Sequence, residues 1–177
     1  MIINTKNRKP DVIVHTNNEY YFKISFLDNE HILFIEKGDI YKSDLSGNKV
    51  NLTDTPFRES GFSIPANGDK IIYTSYQDEI NNDNRTEIYL LDFESGNRQR
   101  MTYSNYSSFF PVISPDGNLF CFNSENSTDS NDISLILREF YRTVDDTLRN
   151  FAWTPAFSPD SRLIALQLQH CRSKRSS

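Results

Sequence analysis

The 177-residue chain is poor in the residues and segments on which several classes of protein depend. It has only two cysteines, Cys121 and Cys171, too few for a disulfide framework, so we expect free thiols. No apolar run approaches the length of a membrane-spanning helix, so membrane insertion is not expected. Residues 1–10 lack the apolar core of a signal peptide, and nothing else in the sequence names a compartment.

The sequence motifs of common catalytic and metal sites are also missing. There is no Gly-x-Ser-x-Gly, Cys-x-x-Cys, glycine-rich phosphate loop or His-Glu-x-x-His, and the three histidines (His15, His31 and His170) stand far apart. The net charge of −5 is small and dispersed, without the basic patch that nucleic acid requires. We therefore expect no catalytic residue, no cofactor, no metal site and no nucleic-acid partner.

Aromatic residues and tight turns are what the chain has in plenty. Thirteen Phe and nine Tyr favour strands, and no segment sustains a helical period. The strongest local signal is Ser114-Pro115-Asp116-Gly117 between two apolar runs. Pro115 suits the second position of a turn and Gly117 can adopt a positive φ, so this stretch predicts a β-hairpin.

The hairpin recurs along the chain in weaker copies. The corresponding turn residues are 39, 49 and 44 residues apart, and they are Asn29, Gly68, Gly117 and Ser161. Two other motifs keep step: an Ile-Tyr strand that runs into a polar turn (Ile40, Ile88), and a Leu-Thr or Met-Thr pair (Leu52, Met101). A repeat of this length with about four short strands is typical of propeller blades.

The order Ile-Tyr, Asp-x-x-Gly, Leu-Thr and Ser-Pro-Asp-Gly resembles the TolB-type (WD-like) β-propeller repeat, which also occurs in propeller domains of prolyl oligopeptidase relatives. The resemblance covers residues 20–168, although only residues 114–117 match the turn motif in full. It implies an all-β fold built of blades with four antiparallel strands. TolB-like propellers are often periplasmic, so the resemblance favours export. Residues 1–10 lack the features of a signal peptide, which favours the opposite.

On this pattern we expect a polar tail over 1–11, propeller repeats over 12–169 and a disordered tail over 170–177. The blades fall near 20–53, 62–102 and 110–149, with a partial blade at 153–169, so that about three and a half blades form an incomplete ring. Three explanations are open. The chain is a piece of a larger propeller (the favoured one), it self-associates through open blade edges, or residues 12–15 help to close a compact ring.

Successive connections in a propeller alternate between its two faces. The tight turns fall on one face, and the longer polar loops at 53–61, 76–86, 102–109 and 125–131 fall on the other, which we call the long-loop face. Binding residues concentrate on such loops. The candidate binding residues on them are Phe57, Arg58, Asp78, Glu79, Asp83, Tyr103, Tyr106 and Asp129.

Three features of these regions have a structural as well as a functional interpretation. The oxygen-rich stretches 77–84 and 125–132 lack EF-hand spacing, which favours flexible loops over a calcium site. Asp116 and Asp160 recur because a carboxylate in a turn accepts backbone N–H groups. The aromatic residues of 103–110 are expected to pack in the core and between blades, with ligand stacking as the lesser alternative.

The sequence therefore predicts a non-catalytic module that binds a protein or peptide partner through its long-loop face. The main alternative is the propeller portion of a prolyl oligopeptidase-like serine hydrolase that lacks its catalytic domain. A decayed gene product without function is a third possibility. A longer reading frame that continues into a Gly-x-Ser-x-Gly segment would favour the hydrolase.

Overall fold

The computed structural model describes residues 2–3, 10–11, 23–76, 85–103, 105–125, 133–139, 145–148 and 153–167. These residues form sixteen strands and no helix. The strands are β1 (Ile2–Ile3), β2 (Pro10–Asp11), β3 (Ile24–Phe26), β4 (His31–Glu36), β5 (Asp39–Asp44), β6 (Lys49–Asn51), β7 (Glu59–Ser63), β8 (Lys70–Ser75), β9 (Glu87–Asp92), β10 (Arg98–Arg100), β11 (Ser108–Ile113), β12 (Leu119–Glu125), β13 (Ile133–Glu139), β14 (Asp145–Leu148), β15 (Trp153–Phe157) and β16 (Ile164–Gln167). Residues 12–15 and 170–177 lie outside the described part of the chain.

The strands form three four-stranded antiparallel sheets in which neighbours in sequence are neighbours in space. Blade 1 is β3–β6, blade 2 is β7–β10, blade 3 is β11–β14, and β15 with β16 forms a partial fourth blade. This confirms the predicted four-stranded blades. Within the stretch expected to be a polar tail, β1 pairs with β2 in a short ladder.

The first strands of blades 2, 3 and 4 lie side by side, as the innermost strands of blades around one axis do. β11 contacts both β7 and β15, the first strands of the blades on either side of it. The backbone N–H of Ile113 in β11 also donates to Ser63 Oγ in β7, 3.1 Å away. First strands that lie side by side are the signature of a propeller and are absent from a stacked sandwich.

The hydrophobic core consists of layers between successive blades. Along β8, Ile71 and Tyr73 face blade 1, whereas Ile72 faces blade 3, as the two-residue period of a strand requires. Blade 1 contributes Leu33, Ile35 and Ile40 to the first layer, and blade 3 contributes Ile113, Phe120 and Phe122 to the second. Because the middle of β8 is buried on both faces, its residues 71–73 form a continuous apolar run.

The Ser-Pro-Asp-Gly turn is held by its own side chains. Ser114 Oγ donates to Asp116 Oδ1 (2.6 Å) and accepts from the backbone of Leu119 (2.9 Å), while Asp116 Oδ1 also accepts from Asn118 N (3.1 Å). These bonds hold the pKa of Asp116 below its usual value, and the bond from Ser114 has the largest effect. Ser158 and Asp160 repeat the geometry, with 2.6 Å between Oγ and Oδ1. The structural role predicted for both aspartates is confirmed.

The same turns tie one blade to the next. Ala66 N donates to Pro115 O (2.8 Å), and Asp116 N donates to Ser161 Oγ (3.1 Å). Ser161 occupies the position of the turn glycine with φ at +62°. Its hydroxyl explains the departure from the pattern, because a glycine there could not accept the bond from Asp116.

The turn glycine of blade 3 provides a stability test with an internal control. Gly117 has φ at +75°, and a Cβ there would lie 3.4 Å from Lys70 Cε. We expect Gly117→Ala to lower the free energy of unfolding by about 1–2 kcal/mol, because an L residue is strained at positive φ. Gly61 lacks a positive φ and has nothing within 4 Å of the added Cβ, so Gly61→Ala should be neutral or slightly stabilising. Urea denaturation measures both, and equal losses would contradict this account of the turn.

Candidate binding face and blade junctions

Hydrogen bonds between connections separate the two faces of the propeller. The turn after β5 meets the turn after β3 through Leu45 N and Glu30 O (3.2 Å), and blade 2 repeats this contact with Phe93 N and Asp69 O (3.0 Å). At the opposite ends of the strands, Glu59 N donates to Gly38 O (2.7 Å). The turns that follow the first and third strands of a blade therefore share one face, which we call the short-turn face, and the described loops that join one blade to the next share the other.

Four of the eight candidate binding residues lie in the described part of the chain. Phe57 and Arg58 belong to the loop that joins blade 1 to blade 2, where Arg58 O accepts from Tyr76 N at 3.0 Å. Tyr103 and Tyr106 belong to the loop that joins blade 2 to blade 3 and are 76% and 40% exposed. The other four, Asp78, Glu79, Asp83 and Asp129, lie outside the described residues.

The expectation that the aromatic residues of 103–110 pack in the core is wrong for three of them. Besides the two tyrosines, Phe110 is 49% exposed, and only Phe109 is half-buried, in edge-to-face contact with Phe110 at 5.2 Å. A β-bulge between Phe109 and Val112 is the reason, because it shifts the register of β11 and turns Phe110 out of the layer. Phe110 also has φ at +52°, which is rare for an aromatic residue.

Phe110 lies beside the axis of the propeller. It belongs to an innermost strand, and its counterpart in blade 2 is Gly61, three residues before Ile64 just as Phe110 is three before Ile113. A Cβ on Gly61 would meet no atom within 4 Å, so open space adjoins that position. The exposed ring therefore lies on an innermost strand, and open space adjoins the corresponding position of blade 2.

A buried threonine organises the first two junctions between blades, and the sequence analysis missed this role. Thr53 Oγ1 accepts from Ile40 N (2.9 Å) and lies 3.1 Å from Asp39 Oδ1. Thr102 Oγ1 likewise accepts from Ile88 N (2.9 Å) and donates to Glu87. We call each arrangement a threonine clasp. The clasp explains why the Leu-Thr and Ile-Tyr motifs recur at a constant spacing, because the threonine of one motif binds the isoleucine N–H of the other. That constant spacing is the sequence signal from which the contact could have been predicted.

The two clasps differ in charge. Glu87, whose side chain is fully buried, forms an ion pair of 2.6 Å with Arg100, and the guanidinium of Arg100 also lies 4.8 Å from the ring centroid of Tyr103. In the first clasp the neutral Asn51 takes the place of Arg100 and donates to Asp39 (2.9 Å). The second junction therefore pairs its buried acid with a cation, and the first does not.

A second buried acid, Glu59, joins the first clasp. It is 1% exposed, and its carboxyl lies 3.2 Å from the hydroxyls of Thr53 and Thr55 and 3.3 Å from that of Ser75. Burial, followed by the charge of Asp39, raises the pKa of Glu59 to about 7. Its counterpart in the next junction is Ser108, seven residues after Met101 as Glu59 is seven after Leu52.

Other expectations concern single residues or segments. Cys121 is a free, buried thiol, and burial raises its pKa to about 12.

Within the described ranges no three His, Cys, Asp or Glu side chains are grouped to hold a metal ion, and the stretch 77–84 and residues 126–132 lie outside those ranges. The described residues also include no helix that could cross a membrane.

Comparison with known proteins places this geometry in a class. No protein-family model and no curated protein matches the chain. Among solved structures, TolB from Acinetobacter baumannii has a TM-score of 0.61 at 23% identity over 79% of this chain and 35% of its own. A candidate TolB from Agrobacterium tumefaciens has a TM-score of 0.64 at 20% identity over 82% and 57%, respectively. The tricorn protease has a TM-score of 0.57 at 14% identity over 68% and 13%.

These likenesses concern the fold. The radial sheets and their junctions define a β-propeller of three four-stranded blades and a two-stranded part of a fourth, without a closed ring among the described residues. More specifically, the fold is TolB-like, as the repeat pattern predicted. The chain spans 35% and 57% of the two TolB structures it matches.

Proposed function

We propose that this propeller is a non-catalytic module that binds a protein or peptide through its long-loop face. Phe110 is the main observation behind the proposal. Its half-exposed ring leaves apolar surface in water, and its positive φ strains the backbone, so both features destabilise the folded chain. Strain of this kind persists where the surrounding structure imposes it and is common at ligand sites. Its exposure on an innermost strand suits contact with a partner.

The neighbouring residues point to the chemistry of that partner. Tyr103 and Tyr106 present exposed rings on the same face. Aromatic side chains are enriched at protein interfaces, where they bury large areas with little loss of conformational freedom. We therefore expect a peptide segment with aliphatic or aromatic side chains that pack against these rings.

The test uses a displayed library of random peptides selected on the immobilised wild-type chain. Selected peptides should lose about tenfold or more in affinity for Phe110→Gly and for Tyr103→Ala, because truncation of an aromatic anchor removes most of its contact. Phe110→Gly copies Gly61 and relieves the positive φ, so its free energy of unfolding should stay within about 1 kcal/mol of the wild type. Lost binding without lost stability would separate a binding role from a folding role.

Leu45→Ala and Leu163→Ala are the matched controls. Both leucines lie in turns of the short-turn face and are 44% and 71% exposed. Their substitution therefore removes exposed apolar surface from the face opposite the proposed site. Peptide affinity should not change for either. Peptides that respond to Leu163→Ala as strongly as to Phe110→Gly would contradict a site on the long-loop face.

Two alternatives make other predictions. If the chain is the propeller portion of a serine hydrolase, as the likeness to part of the tricorn protease allows, the native polypeptide should continue into a Gly-x-Ser-x-Gly segment. If two copies of the chain associate through their blade edges, light scattering should show a defined oligomer. A proline substitution in β16 should dissociate that oligomer, because proline removes an N–H donor from the edge strand.

A further inference from the structure

The first clasp contains one hydroxyl proton for two carboxyl groups. Thr53 Oγ1 accepts from Ile40 N and lies 3.1 Å from Asp39 Oδ1 and 3.2 Å from Glu59 Oε2. Its single proton can reach only one of these oxygens. If both acids are ionised, the other carboxylate faces a lone pair of the threonine at hydrogen-bond distance, and the contact is repulsive.

A proton on Glu59 satisfies every group in the cluster. Glu59 then donates to Thr53 Oγ1, and Thr53 donates to Asp39. The threonine oxygen accepts two bonds, from Glu59 and from Ile40 N, which is its full capacity. A proton on Asp39 would satisfy the same contacts, so burial decides between the two acids: Glu59 is 1% exposed, Asp39 is only half-buried, and burial raises the pKa of Glu59.

Among the residues that the structure describes, no cation in direct contact with the two acids replaces that proton. Arg98 extends from β10 to the junction, but its guanidinium donates to the carbonyl oxygens of Leu52 and Thr53. The side chain of Arg58 lies against Gly38, with its Cγ 3.3 Å from the Cβ position of that glycine. The titratable and charged groups that surround Glu59 are Asp39 from β5, Lys37 in the adjoining turn, Arg58 in the preceding loop, Tyr73 from β8 and Arg98 from β10.

We propose that Asp39, Thr53 and Glu59 form a proton-operated latch on the loop at 52–58. With a proton on Glu59, the loop is held to blades 1 and 2, and loss of that proton releases it. Thr55 belongs to the latch, since its hydroxyl lies 3.2 Å from Glu59 Oε1 and its N–H 3.4 Å from Asp39 Oδ1. The loop also carries Phe57 and Arg58, so the latch couples pH to the long-loop face. The latch does not depend on the proposed function, because its test measures no binding.

Amide hydrogen exchange in the wild-type chain tests the latch. The reporter is the N–H of Ile40, bound by Thr53, and the control is the N–H of Ile88, bound in the same way by Thr102 beside the Glu87–Arg100 pair. Global unfolding affects both amides alike, so the ratio of their protection factors isolates the first junction. From pH 5 to pH 7 protection of Ile40 should fall by about 40-fold relative to Ile88, because the closed loop, with the pKa of Glu59 at about 7, keeps a proton that the open loop, with the ordinary pKa of 4.5, releases.

Glu59→Gln removes the titrating group and should abolish the pH dependence of the ratio. If this variant fails to fold, the ¹³C shift of the Glu59 carboxyl in the wild-type chain still decides the matter. A midpoint near 7 supports the latch, and one near the ordinary 4.5 overturns it. A ratio that does not change between the two pH values also overturns it.

Discussion

Arg100→Met is expected to lower the free energy of unfolding by about 3 kcal/mol at pH 7, because it leaves the carboxylate of Glu87 buried without its cation. The Glu87 side chain is fully buried, whereas that of Arg100 is 26% exposed, so water can partly replace the guanidinium. This exposure places the estimate at the low end of the range for broken buried ion pairs. Urea denaturation gives the value directly.

Two further variants isolate the charge. Arg98→Met also removes a guanidinium from β10, but Arg98 binds neutral carbonyl groups, so its loss should cost only about 1 kcal/mol. Adding Glu87→Gln to Arg100→Met should recover part of the stability, because the side chain left in the layer is then neutral. If Arg100→Met costs no more than Arg98→Met, the pair does not stabilise the second junction as argued here.

Glu59→Gln is expected to change the free energy of unfolding by an amount that depends on pH. The folded-state pKa of Glu59, about 7, lies above the ordinary value of 4.5, so the folded chain holds this proton more tightly than the unfolded chain. The contribution of Glu59 to stability is therefore complete below pH 4.5 and is lost as the pH rises through 7. Glutamine undergoes no such loss.

The stability difference between Glu59→Gln and the wild type should consequently shift by about 3 kcal/mol in favour of the variant from pH 4 to pH 8. Glu87→Gln is the matched control, since it also neutralises a buried junction glutamate but deprives Arg100 of its partner and should destabilise at pH 8. A Glu59→Gln difference that is the same at both pH values would show that Glu59 does not titrate as described.

Local sequence signals were sufficient for the strands and the tight turns. The apolar run 71–73 between turn residues is typical of a buried strand, and it lies in β8, Lys70–Ser75. The turn at 114–117 was predicted from the backbone needs of Pro115 and Gly117, and the latter has φ at +75°.

The residues of the candidate site were harder to predict because their environment is set by other blades. Glu59 reads as a surface loop residue, and only the approach of Asp39 and Thr53 from blade 1 shows that it is buried. Phe110 reads as core, because an apolar pattern does not reveal the bulge that turns the ring outward. Both errors have one physical cause: burial depends on neighbours that are distant in sequence.

The most direct test of the radial arrangement is a nuclear Overhauser contact between the amide proton of Ile113 and the β-protons of Ser63. These groups belong to the innermost strands of adjacent blades, fifty residues apart in sequence, with 3.1 Å between Ile113 N and Ser63 Oγ. The propeller predicts a strong cross-peak. Contacts from Ile113 to Phe120 within blade 3 but none to Ser63 would contradict the arrangement of the blades around one axis.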